Sequence, residues 1–531
     1  MTCRFYIDMV GLTDTMTIVG WAFAAKGRIE RISLSWGESC LDTVPGQYGD
    51  TRTDVAQAHG VSPGCGFNIM GVPLKNGARY RLTAHLVDGG RWDQAILELR
   101  LRDGEWTCKS FGNGPAQIRQ RPAATHFPTL ASILARTAPE PVVVAPLEKP
   151  VFILVGVYRG QEYYEGFFNS LFANTTSPYH LVLVDDGNRD PAITATLEAQ
   201  KSRAERVTLI TLDQNVGHIE AVSRGFELWR GEHVVWANID TVLPPNWLER
   251  LISPMLADPS IASTTPYANS ASICGFPHMP GDNPLYLGLD SDQVDAAFGC
   301  LTPDGVAIDL PSGVGFCMGM NSRAIDRIGF LERGTFGAGY GEENDWCQKA
   351  ERLGMRNVLV PNLFVYHKHG GSFPSDAKQQ LIARNLKIIQ ERYPHYDGDV
   401  RDHILADPGG TWRRFVAFVL AARHHPQGAL LFVSGAPVPP PAMMERIEAA
   451  AAQGQPLAVM TQRGFQFLYT FLWQGGRLDL PAVSLAELPL LARRVRVAGA
   501  VVGAVSSSPC ADSVERAAGK LDDVLSEVQW L

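Results

Sequence analysis

Between residues 151 and 237, short apolar runs alternate with stretches of helical character, and no other sequence feature constrains the fold as strongly. The first run, Val151–Val157, is apolar throughout, as in a parallel strand that helices cover on both faces. Strands are predicted over His180–Val184, Arg206–Thr211 and Glu232–Ala237, and helices over Glu162–Ala173, Ala192–Lys201 and Gly217–Trp229. This alternation predicts an α/β fold with a doubly wound, mainly parallel sheet.

The 531 residues exceed what one hydrophobic core supports, so several domains are expected. Residues 1–110 show short alternating strands between turn residues, which predicts a β-sandwich. A Pro-rich linker is predicted over 111–148, followed by the main α/β domain, 149–398. A helical connector (399–428) then leads to a second α/β segment (429–531).

The two outer segments carry weaker functional signals than the main domain. The C-terminal segment resembles part of a Rossmann-like module, but its loop Ser434–Pro441 has one Gly and four Pro. A phosphate-binding turn needs glycines there, so we interpret the module as non-catalytic. In the N-terminal module, tryptophans either stack on the sugar rings of a glycan or form the core, the usual fate of such residues; these are Trp21, Trp36, Trp92 and Trp106.

Charge and cysteine usage restrict the partners and the compartment. A net charge of −8 argues against a nucleic-acid-binding surface. The nine cysteines form no CxxC pair, which favours a reducing compartment. The sequence shows no signal-peptide pattern. Its apolar runs are well short of the ~20 residues of a membrane span, so we expect a cytoplasmic protein. At Trp412–Phe415, peripheral contact with the inner face of the membrane is an alternative to a buried helix.

Polar and acidic groups recur where predicted strands end, and in such sheets ligands bind beyond the carboxyl ends of the strands. Each group alone is typical of a surface loop, but their order along one sheet predicts a site. The groups are Asp185–Gly187, Asn215–Gly217, Asn238–Thr241, Gly341–Trp346 and Tyr366–Gly371.

Residues 149–398 resemble the family 2 glycosyltransferases of the GT-A fold, and most of all their bacterial rhamnosyltransferase-like branch. The resemblance covers a little under half of the chain, and as an ordered set its motifs are specific. They are Leu183–Gly187, Asn215–Gly217, Ala237–Thr241, Gly313–Met318, Gly339–Cys347 and Val365–His367.

The resemblance implies a nucleotide-sugar site in which Asp185 hydrogen-bonds the base. Backbone N–H groups of Asn215–Gly217, at a helix start, are expected to face an anionic donor; an Asn-capped helix without a ligand is the alternative. The implied nucleotide-sugar-binding residues are Val157, Tyr158, Arg159, Asp185, Asp186, Asn215, Gly217, Asn238 and Asp240.

A metal site is implied at Asp240, which matches the DxD aspartate that holds Mg²⁺ or Mn²⁺ in the family. Oxygen ligands suit both ions. Asn238 replaces the first acidic residue of DxD and removes one charged ligand. His367 is the expected second protein ligand, with His369 as a rival on the same loop.

The resemblance places catalysis at the acidic pair Glu342–Glu343. In an inverting transfer a carboxylate deprotonates the acceptor hydroxyl, and by position Glu343 is the expected base. Glu342 and Asp345 would orient it or hold acceptor hydroxyls; an acidic helix N-terminus stabilised by the helix dipole is the alternative. Two further aromatic residues stack on the acceptor sugar or belong to the core, namely Phe316 and Trp346.

Taken together, the sequence predicts an inverting, metal-dependent glycosyltransferase in bacterial surface-polysaccharide assembly. The predicted donor is a nucleotide diphosphate sugar, such as dTDP-rhamnose or a UDP-sugar, and the acceptor is a glycan or lipid-linked glycan. A catalytically inactive glycan- or nucleotide-binding protein is the main alternative. A nucleotidyltransferase is disfavoured, because Gly156–Glu162 holds a single Arg rather than a glycine-rich basic loop. The sequence leaves the oligomeric state open.

Overall fold

The computed structural model describes two compact units, Met1–Phe127 and Pro128–Leu531. It describes the chain from residue 3 to residue 530, except residues 13–14, 26, 37–41, 52–54, 57–58, 63, 103–104, 111–117, 121–128, 205, 303–307, 338, 369–374, 464–465, 483–484, 504–513, 515, 518 and 526.

The N-terminal unit is built from strands in its described part, which agrees with the predicted all-β module. The strands are β1 (Cys3–Leu12), β2 (Thr15–Ala24), β3 (Ile29–Trp36), β4 (Asp42–Thr51), β5 (Gly64–Pro73), β6 (Arg79–Leu86), β7 (Arg91–Arg102), β8 (Glu105–Ser110) and β9 (Ile118–Gln120). They follow one hydrogen-bonded order, β8-β7-β6-β3-β4-β5-β2-β1-β9. The two separate sheets of a sandwich are therefore not distinguished, and the sandwich stays a prediction.

Alternate residues of these strands point into one buried cluster that draws on both halves of the sheet, including Ile18, Ile32, Phe67 and Leu82. Period-two alternation explains why a single face becomes apolar. Of the tryptophans predicted to stack on sugars or to form the core, two belong to the core: Trp36 is buried, and Trp92 packs against the same cluster. Trp21 is only partly buried and stacks on Phe23 with ring centroids 5.7 Å apart, while the Trp106 side chain lies outside the described residues.

The central sheet of the second unit has eight strands and holds the predicted α/β pattern. Its strands and those of two small ladders are β10 (Val151–Val157), β11 (Tyr179–Asp185), β12 (Val207–Thr211), β13 (Val234–Ala237), β14 (Thr241–Val242), β15 (Ile261–Tyr267), β16 (Ser270–Ala271), β17 (Gly281–Asp282), β18 (Ile308–Leu310), β19 (Cys317–Met320), β20 (Arg356–Phe364) and β21 (Tyr366–His367). The order is β12-β11-β10-β13-β19-β15-β20-β18. The first four strands are mutually parallel, whereas β19 is antiparallel to both neighbours.

Helices pack on both faces of this sheet because its strands are apolar on both sides: all seven residues of β10 are buried, and the two faces contribute to separate clusters. The helices of this part are α1 (Leu130–Ala135), α2 (Gln161–Asn174), α3 (Pro191–Lys201), α4 (His218–Phe226), α5 (Trp247–Ala257), α6 (Ser291–Gly299), α7 (Ser322–Ile328) and α8 (Glu342–Arg352), with a 3₁₀ turn at Tyr286–Gly288.

The predicted linker is wrong in its second half. Leu130, Ile133 and Leu134 on α1 are buried in the central core, and the backbone N–H groups of Ala138 and Val142 donate to the carbonyls of Cys300 and Gly299 at 2.7 and 2.9 Å. Proline content indicated a spacer, but apolar residues at helical spacing anchor this segment to the second unit.

The last part of the chain forms a second sheet, in the order β25-β24-β23-β22-β26-β27. The elements are α9 (Ser375–Arg392), α10 (Tyr396–Ala406), α11 (Gly410–His424), β22 (Ala429–Ser434), α12 (Pro441–Ala452), β23 (Leu457–Arg463), β24 (Gln466–Trp473), β25 (Gly476–Ala482), α13 (Leu488–Arg494), β26 (Val497–Gly503) and β27 (Val528–Trp530). The predicted strands at 429, 456 and 497 are present. The antiparallel hairpin β24–β25 was not predicted, and the Rossmann-like description stays a prediction.

Helix α11 does not offer the membrane-contacting surface that was weighed for Trp412–Phe415. Trp412, Arg413 and Phe415 are all buried, and the Arg413 guanidinium donates to Asp407 at 2.7 Å. Phe418 packs against Phe471 of β24 with ring centroids 4.8 Å apart, so α11 joins the two sheets. Among the described residues, we find no helix with the length and apolar character needed to cross a membrane.

Candidate active site

The base-binding residue implied by the resemblance, Asp185, ends β11 and is fully buried. Its Oδ1 accepts from the Asn188 backbone N–H at 2.9 Å and side-chain amide at 2.7 Å. Its Oδ2 is buried and accepts no hydrogen bond from the part of the chain that the structure describes. A buried acceptor without a donor is unfavourable, so this oxygen is suited to a donor group on a ligand.

Asp186, predicted to bind the nucleotide sugar, contacts the start of helix α4 instead. Its carboxylate accepts from the backbone N–H groups of Val216 and Gly217 at 2.7 and 3.1 Å, and from the Asn215 amide at 2.8 Å. The N–H groups expected to face an anionic donor are therefore engaged by a protein carboxylate, and that prediction for Asn215–Gly217 is wrong. An anion at a helix N-terminus is favourable, and here the protein supplies it.

Tyr158 and Arg159 lie at the mouth of the same region, just after the buried Val157. Tyr158 is 41% exposed, and the Arg159 guanidinium lies 5.1 Å from the centre of its ring. Arg159 has φ of 58°, and its N–H donates to Asn188 Oδ1 at 2.8 Å. The structure thus presents an exposed aromatic face beside the buried Asp185 carboxylate.

Asp240 and His367, 127 positions apart in the chain, are brought together by the short ladder between β14 and β21, in which Thr241 pairs with His367. The Asp240 Oδ1 lies 3.5 Å from His367 Nε2. His367 Nδ1 lies 3.1 Å from the carbonyl oxygen of Ser270. Because a carbonyl only accepts, Nδ1 donates there, and Nε2 is the ring nitrogen that faces Asp240.

This arrangement fits a divalent cation. Asp240 Oδ1 is buried and accepts no hydrogen bond from the described residues, and it lies 3.5 Å from His367 Nε2, so both atoms are placed to act as ligands of one cation. A histidine that donates one ring nitrogen to a carbonyl and offers the other is the common arrangement at metal sites. Within the described residues, no group of three His, Cys, Asp or Glu side chains is placed to hold a metal.

Of the two other residues predicted near the metal, Asn238 and His369, the structure describes only Asn238. The Asn238 backbone N–H donates to the Phe316 carbonyl at 2.8 Å, and its own carbonyl accepts from the Thr241 hydroxyl at 2.8 Å. These bonds fix the loop that carries Asp240. His369 lies outside the described residues.

The acidic pair begins helix α8, directly after Gly341. Glu342 is 5% exposed and its Oε2 has no hydrogen-bond donor, while Glu343 is half-buried and accepts weakly from the Gly341 N–H at 3.4 Å. Burial and the neighbouring Glu343 raise the pKa of Glu342 well above its ordinary value, and burial raises the pKa of Glu343. The two carboxyls therefore hold protons more tightly than exposed glutamates and titrate as a pair.

We expect Glu342→Gln to stabilise the protein at pH 8. The pKa of Glu342 is raised on folding, so the folded state binds the proton more tightly, and stability falls as pH rises from the ordinary value near 4.3 through the raised pKa. The neutral amide avoids this loss. Urea unfolding at pH 8 is expected to show a gain of roughly 1–3 kcal/mol, vanishing near pH 4.

The exposed Glu165 of α2 supplies the control, Glu165→Gln, which is expected to leave stability unchanged at both pH values. A Glu342→Gln protein that is no more stable than the wild type at pH 8 would show that the buried carboxylate is accommodated without cost.

Asp345 does not orient the acidic pair, contrary to prediction. Its Oδ1 accepts from the Arg392 guanidinium and the Tyr393 hydroxyl, both at 2.8 Å, and its Oδ2 lies 2.6 Å from Lys349 Nζ. Both oxygens are occupied, and the side chain is 1% exposed. Asp345 therefore anchors the start of α8 to the end of α9, and its carboxylate contacts these groups rather than the acidic pair.

The predicted acceptor-binding aromatics are part of the core. Trp346 is 1% exposed and its Nε1 donates to the Gly329 carbonyl at 2.9 Å. Phe316 is 2% exposed and stacks on the His367 ring with centroids 4.9 Å apart. Neither offers a face to a sugar; Phe316 instead supports the orientation of His367.

Two residues near the site were not predicted. His218 is half-buried and its Nε2 accepts from the Trp236 indole N–H at 3.1 Å. Desolvation lowers the pKa of His218 to about 4, with Asp240 acting in the opposite direction. Burial, and then Glu342, Glu343 and Asp240, raise the pKa of Tyr340, which places its phenol near both acidic groups. Neither residue belongs to a sequence pattern that marks such a role.

Comparison with known proteins addresses this same region. Residues 152–296 match the model of glycosyl transferase family 2. The comparisons support a family 2 glycosyltransferase domain here. A curated undecaprenyl-phosphate 4-deoxy-4-formamido-L-arabinose transferase of Pseudomonas fluorescens is 31% identical over 109 residues, 19% of this chain and 31% of that protein. An uncharacterized glycosyltransferase of Haemophilus influenzae is 22% identical over 143 residues, 25% of this chain and 44% of that protein.

The chain thus spans less than half of the length of these two curated relatives. Among solved structures, a mannosyltransferase from Pyrobaculum calidifontis in complex with GDP-Man and Mn²⁺ matches 58% of this chain and 83% of that chain, with 16% identity and a TM-score of 0.34. The rhamnosyltransferase-like branch is not distinguished by these matches.

Proposed function

We propose that residues 149–398 form a GT-A glycosyltransferase that moves a sugar from a nucleotide diphosphate donor to a glycan acceptor with inversion. The observation that carries the proposal is the Asp240–His367 pair. A buried carboxylate oxygen that accepts no hydrogen bond from the described residues lies 3.5 Å from the Nε2 of a histidine whose Nδ1 faces a backbone carbonyl. This pair lies in a unit whose residues 152–296 match a glycosyltransferase family.

In this proposal the donor lies along the carboxyl ends of the parallel strands. Asp185 Oδ2 would accept a hydrogen bond from the base, and the exposed ring of Tyr158 would lie beside it. Asp240 and His367 would hold Mg²⁺ or Mn²⁺ together with the diphosphate oxygens. The bound cation would offset the negative charge that develops on the departing diphosphate.

Glu343 is the proposed base, because it is half-buried whereas Glu342 is nearly enclosed. A raised pKa brings a carboxylate closer to the basicity that proton removal requires. The acceptor hydroxyl would transfer its proton to Glu343 while its oxygen attacks the anomeric carbon and the bond to the diphosphate breaks. Glu342, whose carboxyl retains a proton more tightly, would leave Glu343 as the charged member of the pair.

The proposal also covers the class of donor sugar, the class of acceptor and the location in the cell. A dTDP-deoxysugar such as dTDP-rhamnose or a UDP-sugar is the proposed donor, and a surface polysaccharide at the inner face of the cytoplasmic membrane is the proposed product. One curated relative is named for transfer to undecaprenyl phosphate, which keeps a lipid-linked glycan among the proposed acceptors.

One observation favours the catalytically inactive alternative, a nucleotide-binding protein. Asn238 stands where a second carboxylate is usual in the family, so the loop carries one charged ligand. Both functions require a bound nucleotide, whereas only the enzyme releases a nucleotide diphosphate from the sugar.

We test the proposal with a panel of nucleotide diphosphates and nucleotide sugars, each with and without Mn²⁺. A ligand at a hundredfold excess over its Kd raises the free energy of unfolding by roughly 2.7 kcal/mol, which a thermal-shift assay detects. We expect one nucleotide to stabilise the protein in a Mn²⁺-dependent way, and its diphosphate to be released on turnover. Binding without release would support the inactive alternative, and no binding would contradict both.

A further inference from the structure

A cavity of about 250 Å³ lies directly beside the proposed metal-binding pair. Its walls come from the loop after β15 and from the two residues that flank His367; they are formed by Asn269, Asp282, Asn283, Pro284–Leu285, Tyr366 and Lys368. Neither the resemblance nor the comparisons give this cavity a role.

The cavity wall is also the support of His367. The Asn269 side chain accepts from the His367 N–H at 2.8 Å and donates to the His367 carbonyl at 3.0 Å. The Asn283 amide donates in turn to the Asn269 carbonyl at 2.9 Å. The wall is therefore rigidly connected to the metal-binding residue, and a ligand in the cavity would have a fixed position relative to that residue.

The lining has the chemistry of a sugar subsite. Asp282 and Lys368 are exposed and of opposite charge, so they offer an acceptor and a donor for ring hydroxyls, while Pro284–Leu285 and the Tyr366 ring supply apolar surface. Sites of this kind combine apolar walls with a few well-placed polar groups. The Lys368 Nζ lies 5.2 Å from the Tyr163 ring centre, and its backbone N–H donates to the Asp240 carbonyl at 2.9 Å.

The order of the strands places this cavity on one side of the proposed diphosphate position. Along the sheet, β11 and β10 carry the proposed base-binding residues, β13 leads to Asp240, and β15, which leads to the cavity loop, lies two strands further on. A nucleotide sugar extends from base to diphosphate to sugar. With the base at β11 and the diphosphate at Asp240, the sugar side faces the cavity.

We propose that this cavity binds a pyranose ring through Asp282 and Lys368. This inference rests on the proposed function, which offers two candidate pyranose rings. One is the sugar of the donor, and the other is the terminal sugar of the acceptor. Both present the same hydroxyl-rich chemistry, and binding measurements separate them.

The experiment uses the full-length chain with Asp282→Asn and Lys368→Met, which change exposed side chains and leave the backbone contacts in place. Calorimetric titrations with Mn²⁺ compare dTDP and UDP with dTDP-rhamnose and UDP-glucose, and saturation-transfer NMR follows octyl rhamnoside and octyl glucoside. Asp326→Asn and Lys201→Met, at exposed positions of α7 and α3, are the matched controls. Thermal unfolding verifies that all variants are folded.

We expect nucleotide diphosphate binding to stay within about twofold of the wild type. If the cavity binds the donor sugar, both variants weaken nucleotide-sugar binding about tenfold. If it binds the acceptor sugar, both variants instead abolish the NMR signal of an octyl glycoside. Equal weakening of the free nucleotide diphosphates would overturn the proposal, because the cavity would then hold phosphate. Unchanged binding of every sugar ligand, or no sugar bound by the wild type, would also overturn it. A wild type that binds no nucleotide would instead contradict the proposed function itself.

Discussion

Asp240→Asn is expected to lower the rate of sugar transfer by about 1000-fold and to remove the Mn²⁺ dependence of nucleotide-sugar binding. The substitution keeps the shape of the side chain but removes the one carboxylate of the pair, whose Oδ1 faces His367 Nε2 at 3.5 Å. The effect is large because charge on the departing diphosphate is stabilised inside a partly buried site, where electrostatic interactions are strong. Calorimetry with and without Mn²⁺ measures the binding and product release measures the rate.

Asn238→Asp tests the same metal site by the opposite change, the addition of a carboxylate. It restores the second carboxylate of the DxD pattern, so we expect tighter Mn²⁺ binding in the presence of nucleotide. Asp326→Asn, on the exposed surface of α7, controls for the loss of one negative charge. If Asp240→Asn retained Mn²⁺-dependent binding, the metal would have to lie elsewhere and the proposed function would lose its main support.

Glu343→Gln is expected to reduce turnover by about 100- to 10,000-fold, the usual contribution of a general base, while donor binding is retained. The amide cannot accept the proton of the acceptor hydroxyl, and the proposed donor contacts lie on other loops. In the wild type, turnover should rise with pH through the raised pKa of the pair, because only the unprotonated carboxylate accepts a proton. The acidic limb of the rate profile should therefore lie above the ordinary value of about 4.3.

Glu342→Gln distinguishes the two members of the pair. It replaces the neighbouring carboxyl by a neutral amide, as when Glu342 holds its proton, so turnover at pH 8 should be largely kept. The acidic limb should stay above the ordinary value, because burial raises the pKa of Glu343. If Glu342→Gln abolished turnover and Glu343→Gln did not, the base would be Glu342 and our assignment would be wrong.

The strand and helix pattern of the central sheet was largely predictable. The apolar run Val151–Val157 coincides with β10, because a strand that is covered on both faces has no polar position to obscure its ends. Hairpin β24–β25 was missed: its residues in Gln466–Ala482 pair mainly with each other and with β23, and a sequence pattern does not show which strands become neighbours.

The sequence by itself determined the order of the elements and the polar residues that follow each strand, since apolar periodicity and strand ends are local properties. The tertiary structure decided what those residues can do. Asp186 and Asp345 carry the same chemical group as Asp185 and Asp240, yet both of their oxygens have partners. These come from residues 215–217 for Asp186, and from Arg392, Tyr393 and Lys349 of the same helix for Asp345. Asp185 and Asp240 each keep one buried oxygen that accepts no hydrogen bond from the described residues, because the folding of the chain decides which segments become neighbours.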